Sequence, residues 1–326
     1  MSTYGDLGLF YHFGVYSVSA YDNIISARRR KIKNGSEWYM KRLKEKNTFR
    51  PTSGYKDTQK YHKETYGDID YKELAKQFTC EKLDIDEWMK IAKKVNAKYV
   101  ILTARHHDGY TLWNSKVSQN WNSVQTGPKI DIVQLFKISA RKYGLMFGIY
   151  YSWIEFDIPF TIKYINNVVK VQIKELMEYE PDIWWFDGSW LIKTKYAIEA
   201  VNDIVMEIHN RNPNAKVNDR VGDPLCKDNT SYLGQSNFRV YEDRAIPKEL
   251  PNVEWESCQT IGLSWGYNKF QEPKDYKSGR DLFEMYNKVK KLKGRLLLNL
   301  GPKSDGTFDE HELESLLDFS KLVELN

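Results

Sequence analysis

Pro181-Asp182-Ile183-Trp184-Trp185-Phe186-Asp187-Gly188 decides the reading of this chain. Ile183 to Phe186 is an uninterrupted apolar run, the pattern of a strand buried on both faces. It ends on a carboxylate, and Gly188 then lets the backbone turn sharply. In an α/β barrel the working groups sit at the C-terminal tips of parallel strands, which is where Asp187 would stand. Taken alone, the same aspartate is more simply a cap for the loop that follows. The surrounding sequence has to choose between these readings.

Outward from this stretch, strands and helices alternate. Toward the N-terminus, Val168 to Tyr179 reads as a helix, Leu145 to Tyr151 as a strand, and the residues after Asp131 as a helix that Gly144 closes. Before these come a strand from Lys98 to Thr103 and a helix with Trp88, Ile91, Ala92 and Val95 on one face. Residues 46–79 read as a long loop, Ser36 as the cap of a short helix, and Gly8 to Phe13 as the first strand. Toward the C-terminus the pattern predicts a helix over 196–211, a short strand over 215–217 and an irregular segment over 221–250. Val253 to Cys258 and Arg295 to Leu300 follow as strands, separated by a helix over 280–292, and a last helix runs over 309–323. Seven or eight such units predict a (β/α)8-like barrel, one domain over residues 1–326. The Gly-x-Gly-x-x-Gly turn of a dinucleotide-binding sheet is missing, as is any Walker motif.

Bulk composition narrows the function. Hydrophobic content of 41% with a mean hydropathy of −0.63 describes a globular chain without a membrane span. The residues Met1 to Asp6 lack the pattern of a secretory signal, so a cytoplasmic location is expected unless a signal has been removed. Cys80, Cys226 and Cys258 are odd in number and match no zinc spacing. A net charge of +5 is mild, and the runs Arg28 to Lys31 and Lys288 to Lys293 read as solvated faces rather than a nucleic-acid groove. Aromatic content is the unusual figure: 14%, with 10 Trp and 22 Tyr. Flat aromatic faces favour a carbohydrate partner.

Polar residues at the predicted strand ends are His12, His106, His107, Tyr151, Asp187, Arg220 and Glu256, with Glu37 and Glu242 from loops. No Gly-x-Ser-x-Gly nucleophile elbow accompanies them. Several carboxylates among imidazoles and aromatic rings suit glycoside cleavage, in which one carboxylate attacks or activates water and another protonates the departing oxygen. A metal-dependent barrel hydrolase using His106 and His107 is the competing chemistry, although no His-Glu-x-x-His helix exists.

Nine stretches carry a family resemblance, in order along the chain. They are Gly8-Leu-Phe-Tyr-His-Phe-Gly14, Gly35-Ser-Glu-Trp-Tyr39, Ala104-Arg-His-His-Asp-Gly-Tyr110, Trp121-Asn-Ser-Val-Gln-Thr-Gly-Pro128 and Trp185-Phe-Asp-Gly188. Asn218-Asp-Arg220, Trp255-Glu-Ser-Cys258, Ser264-Trp-Gly-Tyr-Asn268 and Leu297-Leu-Asn-Leu-Gly-Pro302 complete the set. Together they resemble glycoside hydrolase family 29, the retaining α-L-fucosidases.

That resemblance implies an exo-acting hydrolase of terminal α-L-fucosyl linkages, working by double displacement without cofactor or metal. Asp187 would be the nucleophile, and Glu242, in Phe238-Arg-Val-Tyr-Glu242, the acid/base, with Glu256 as the alternative. His12, Glu37, Trp38, His106, His107, Tyr151, Trp185 and Arg220 would line the sugar pocket, with Trp265 against the fucose methyl group. The implied partner is a fucosylated oligosaccharide or glycoconjugate, with no nucleic acid and no membrane; homo-oligomerisation stays open. A catalytically silent fucose-binding protein on the same fold is the other reading that the resemblance allows. Three departures from the family pattern are expected to matter: residues 1–326 read as the barrel and a last helix without the β-sandwich that many relatives carry, little of the sequence lies ahead of the first strand, and Phe13 stands where the family usually has Trp.

Overall fold

A computed structural model describes residues 7–29, 34–46, 51–222 and 236–325. Cys226, Arg30 and Lys31 and the residues Met1 to Asp6 lie outside these. Eight strands form one parallel sheet: β1 (Leu7–Tyr11), β2 (Tyr99–Arg105), β3 (Met146–Ser152), β4 (Ile183–Asp187), β5 (Lys216–Val217), β6 (Arg239–Val240), β7 (Trp255–Thr260) and β8 (Arg295–Leu300). Each strand pairs with its neighbour in sequence, and β8 returns to β1. Between β5 and β6 the ladder reduces to one parallel bridge, Asn218 to Phe238. The sheet therefore curls into the expected (β/α)8-like barrel, with a seam at two strands too short to pair by backbone alone.

Alternation along the strands separates two apolar clusters. Phe10, Tyr99, Ile101, Tyr150, Ile183, Trp185, Phe238, Val240, Cys258, Trp265 and Leu297 fill the barrel interior. Trp184 and Phe186 point the other way, against the surrounding helices. This is why Ile183 to Phe186 carries no polar residue: both faces of β4 are dry. Each large side chain so buried contributes on the order of 2–3 kcal/mol.

The helices begin where their capping residues sit. Asp84 accepts from the Glu87 N–H and starts Ile85–Lys94, which buries Ile85, Trp88, Met89 and Ala92. Asp131 does the same for Ile132–Lys142, and Ser278 with Asp281 forms a capping box for Gly279–Lys291. The Lys288 to Lys293 run lies at the C-terminal end of that last helix, where cations complement the helix dipole. Arg28 is not a free solvated charge; it bridges Asp275 and Glu272.

Two local expectations fail. The stretch 46–79 holds a helix, Tyr55–Tyr66, and a 3-10 segment, Tyr71–Gln77. The helix escapes a search for apolar periodicity because it buries only Thr58 and His62. Ser36 does not cap: it lies inside a 3-10 turn whose N-cap is Gly35, and its hydroxyl meets Ser264. A Cβ at Gly35 would stand 2.0 Å from the Ser264 oxygen, so the two loops approach only because this residue is glycine.

Candidate active site

A cleft of about 460 Å³ opens at the C-terminal ends of the strands, lined by residues from β1 through β7 and their loops. Asp187 lines it from the tip of β4. Gly188 follows with φ of 85°, turning the chain off β4 so that the carboxylate stays inside. Arg220 Nη1 donates to Asp187 Oδ1 at 2.9 Å. On the other oxygen, the Tyr150 hydroxyl donates at 3.0 Å and His107 Nε2 stands 3.5 Å away. Burial pushes the Asp187 carboxyl upward, but the charge of Arg220 and the contacts from His107 and Arg220 outweigh it and hold it well below the usual carboxylate range. Asp187 is therefore an anion in a largely dry site.

The Asn218-Asp219-Arg220 motif explains how the seam supports that anion. Asn218 Oδ1 accepts the Phe186 N–H at 2.8 Å and its amide donates back to the Phe186 carbonyl at 2.9 Å. Asp219 accepts the Val240 N–H at 2.9 Å, which fixes β6. Side chains thus replace the missing ladder, and Arg220, next in sequence, is delivered to Asp187. Its second terminal nitrogen grips Asp243, just beyond β6. One guanidinium holds two carboxylates, and it lies 4.7 Å from the Trp185 ring centroid.

The expected pocket residues His12, Glu37, Trp38, His106, His107, Trp185, Arg220 and Trp265 all line this cleft. Glu37 accepts from the Gly35 N–H at 2.6 Å and the Gly266 N–H at 3.2 Å. Burial raises its pKa; those two N–H groups and Arg42 oppose the rise. His12 is buried and pushed down to about 3 by desolvation, against the Asn299 hydrogen bond and the charges of Asp187 and Asp243. Burial also pushes His106 well below its ordinary value, and among the described residues its buried Nδ1 has no hydrogen-bond partner. Phe10, Tyr150, Trp185 and Trp265 form an apolar corner, with Phe10 5.1 Å from Trp185 and 6.3 Å from Trp265 between ring centroids.

Three expected residues lie elsewhere. Tyr151 points outward and donates to Gln172 at 2.7 Å; Tyr150 takes the inward position. Register decides this, because Tyr150 pairs with Trp185 and Tyr151 with the outward Phe186. Glu256 is buried behind Trp185, accepting from its indole N–H at 2.8 Å and from Tyr99 at 2.6 Å. It faces a separate small cavity with Arg295 and Lys216, not the cleft. Glu242 is exposed and does not line the cleft, whereas the next residue, Asp243, does. Both lie in the turn after β6, where successive side chains diverge. Tyr150 is singled out only by its pairing with Trp185, which the sheet register supplies, and nothing local marks Asp243 over Glu242. Phe10, Asn34 and Trp190 are further lining residues not anticipated from sequence. Among the described residues no group of three or more His, Cys, Asp and Glu converges as a metal site.

Comparison with known proteins places the chain by sequence and fold. The sequence model of the alpha-L-fucosidase family matches residues 5–326. The alpha-L-fucosidase of Dictyostelium discoideum is 33% identical over 346 aligned positions, covering 98% of this chain and 68% of that protein. The tissue alpha-L-fucosidase of Rattus norvegicus is 31% identical, covering 98% of this chain and 66% of its own length. The chain thus spans about two thirds of the length of these relatives. Among solved structures, Thermotoga maritima alpha-fucosidase superposes with a TM-score of 0.80 at 32% identity, over 98% of this chain and 72% of the other. Its complex with fucose gives 0.79 at 31% identity, over 99% and 73%.

Proposed function

Because this chain belongs to the alpha-L-fucosidase family of glycoside hydrolases, we propose that it removes terminal α-L-fucosyl residues from glycans, with retention, through a covalent ester on Asp187. The observation that carries this is the carboxylate itself: at the tip of β4, half-buried in the cleft and held ionised by Arg220, His107 and Tyr150. An Asp187 oxygen attacks the anomeric carbon as the bond to the leaving oxygen breaks. That oxygen takes a proton from the acid. Water then gives a proton back to the same group, attacks the anomeric carbon and expels Asp187.

Asp243 suits the acid/base role better than Glu242 or Glu256. It shares Arg220 with Asp187, so the two carboxyl groups flank one small space. Retaining enzymes keep their pair about 5–5.5 Å apart, closer than inverting ones. Asp243 engages Arg220 and the Cys258 thiol through Oδ1, and among the described residues no contact uses Oδ2. Glu37 has both oxygens occupied by N–H and hydroxyl donors, so it reads as an acceptor for sugar hydroxyls or as a loop anchor. The rings of Phe10, Tyr150, Trp185 and Trp265 give the cleft a mainly aromatic corner that accommodates a methyl group, which favours a 6-deoxy-sugar.

The test is trapping. A 2-deoxy-2-fluoro-fucosyl fluoride should add one glycosyl mass to the peptide containing Asp187, and Asp187→Gly should abolish aryl fucoside hydrolysis with partial recovery in azide. An adduct elsewhere, or full activity in a folded Asp187→Gly protein, would remove the proposal.

A further inference from the structure

Asn299 lies in the Leu297-Leu-Asn-Leu-Gly-Pro302 motif and does not touch the cleft. Register puts it opposite Phe10, one layer beneath His12 on the interior face. Its amide nitrogen donates to the Trp265 carbonyl at 2.7 Å. A carbonyl only accepts, so the NH₂ end must face it, and the other end presents Oδ1. That oxygen meets His12 Nδ1 at 2.5 Å. All three partners are buried. An amide oxygen also only accepts, so Nδ1 must carry a proton. A neutral imidazole has one proton to place, so none remains for Nε2.

We propose that Asn299 is a positioning residue that locks His12 as the Nδ1–H tautomer, so that Nε2 enters the cleft as an obligatory acceptor and selects a sugar hydroxyl able to donate. The ligand group at this point is then a free hydroxyl; an ether, a fluorine or a missing hydroxyl there leaves the Nε2 lone pair without a partner in a dry site. His106 differs in kind, because no described residue fixes its Nδ1. Two adjacent imidazoles thus play unlike parts: one is set by the protein, the other adapts to its ligand.

The charged and titratable groups facing His12 are Asp187 and Asp243 across the cleft, His106 and His107 from the end of β2, and Tyr150 from β3. An aspartate in place of Asn299 would add a negative charge on Nδ1 and retain a second proton on the ring. Nε2 would become a donor until that proton is lost.

The specificity arm rests on the fucosidase reading; the tautomer arm does not. Nitrogen NMR of the free protein labelled at histidine should show a pyrrole-like Nδ1 and a pyridine-like Nε2 for the signals that vanish in His12→Gln. The reverse assignment, or a mixture, overturns the proposal whether or not the protein cleaves fucosides. In the activity arm, wild-type enzyme should discriminate against one monodeoxy aryl fucoside by about tenfold or more, the weight of one buried hydrogen bond. Asn299→Asp should lose that discrimination at low pH and regain activity as pH rises, a limb that wild type lacks. Asn299→Leu, which frees the tautomer, should blunt discrimination at every pH. Uniform loss in both variants, with the wild-type pH profile and deoxy-sugar preference kept, would mean a purely structural role and defeat the proposal. Absence of any fucoside hydrolysis by wild type would instead defeat the functional reading and leave the spectrum as the judge of the tautomer.

Discussion

Replacing Arg220 by Gln should move the acid limb of catalysis into measurable range. In the native cleft Asp187 is ionised against the cost of burial because Arg220 stands 2.9 Å away, nitrogen to oxygen. Charge centres about 4 Å apart, in surroundings with an effective dielectric constant of about 20, attract by about 4 kcal/mol. That corresponds to about three pH units, and pairs of this kind depress an aspartate by about one to three in practice. His107 and Tyr150 remain in the variant, so the full effect will not appear. Burial then acts against a weaker opposing charge, and the Asp187 carboxyl should rise back toward the ordinary carboxylate range. In wild type, kcat/KM for an aryl fucoside should show no acid limb from this group above about pH 4. In Arg220→Gln the rate should fall with one proton as pH drops through the new value, while Arg220→Lys, which keeps a charge but loses the fork, falls between the two. Side-chain exposures of 18% and 15% leave the pair partly open to water, so the variant should survive the loss of its partner. Melting curves over the same pH range check that. Coincident acid limbs in a folded Arg220→Gln protein and wild type would refute the reasoning, because some other group would then be keeping Asp187 ionised.

Two further outcomes follow from the structure. Asp243→Asn should lose about 100-fold or more on natural fucosides and much less on activated aryl fucosides, whereas Glu242→Gln should leave both within about twofold; the opposite pattern in a leaving-group series would return the acid role to Glu242. Glu312 is buried beside the Gly301 N–H, and burial pushes its carboxyl up to about 8. A carboxyl raised on folding makes the native state hold an extra proton between about pH 4.3, its unfolded value, and about 8, so this group's contribution is intact below that window and is lost as pH rises through it. Glu312→Gln should therefore melt higher than wild type at pH 8.5 and converge with it in acid; a melting difference that does not depend on pH would contradict this.

Much of the architecture was written in local pattern. The dry run of β4, the aspartate at its tip and the caps at Asp84, Asp131 and Ser278 are properties of neighbouring residues. They need only a strand's alternation, a helix's period and a side chain's reach to its own backbone. The order of the nine motifs likewise fixed the family and brought most of the cleft residues into view. What sequence could not choose was between adjacent residues of like chemistry. Tyr150 faces Asp187 and Tyr151 does not, because the parity of β3 is set by its register with β4. Asp243 reaches Arg220 while Glu242 meets solvent, because the turn after β6 splays them. Glu256, a carboxylate on an interior strand as expected, is walled off by the indole of Trp185. The polar helix Tyr55–Tyr66 formed without an apolar stripe to announce it. Each of these depends on what lies across space rather than along the chain, and pairing register, turn geometry and a neighbouring ring exist only once the barrel has closed.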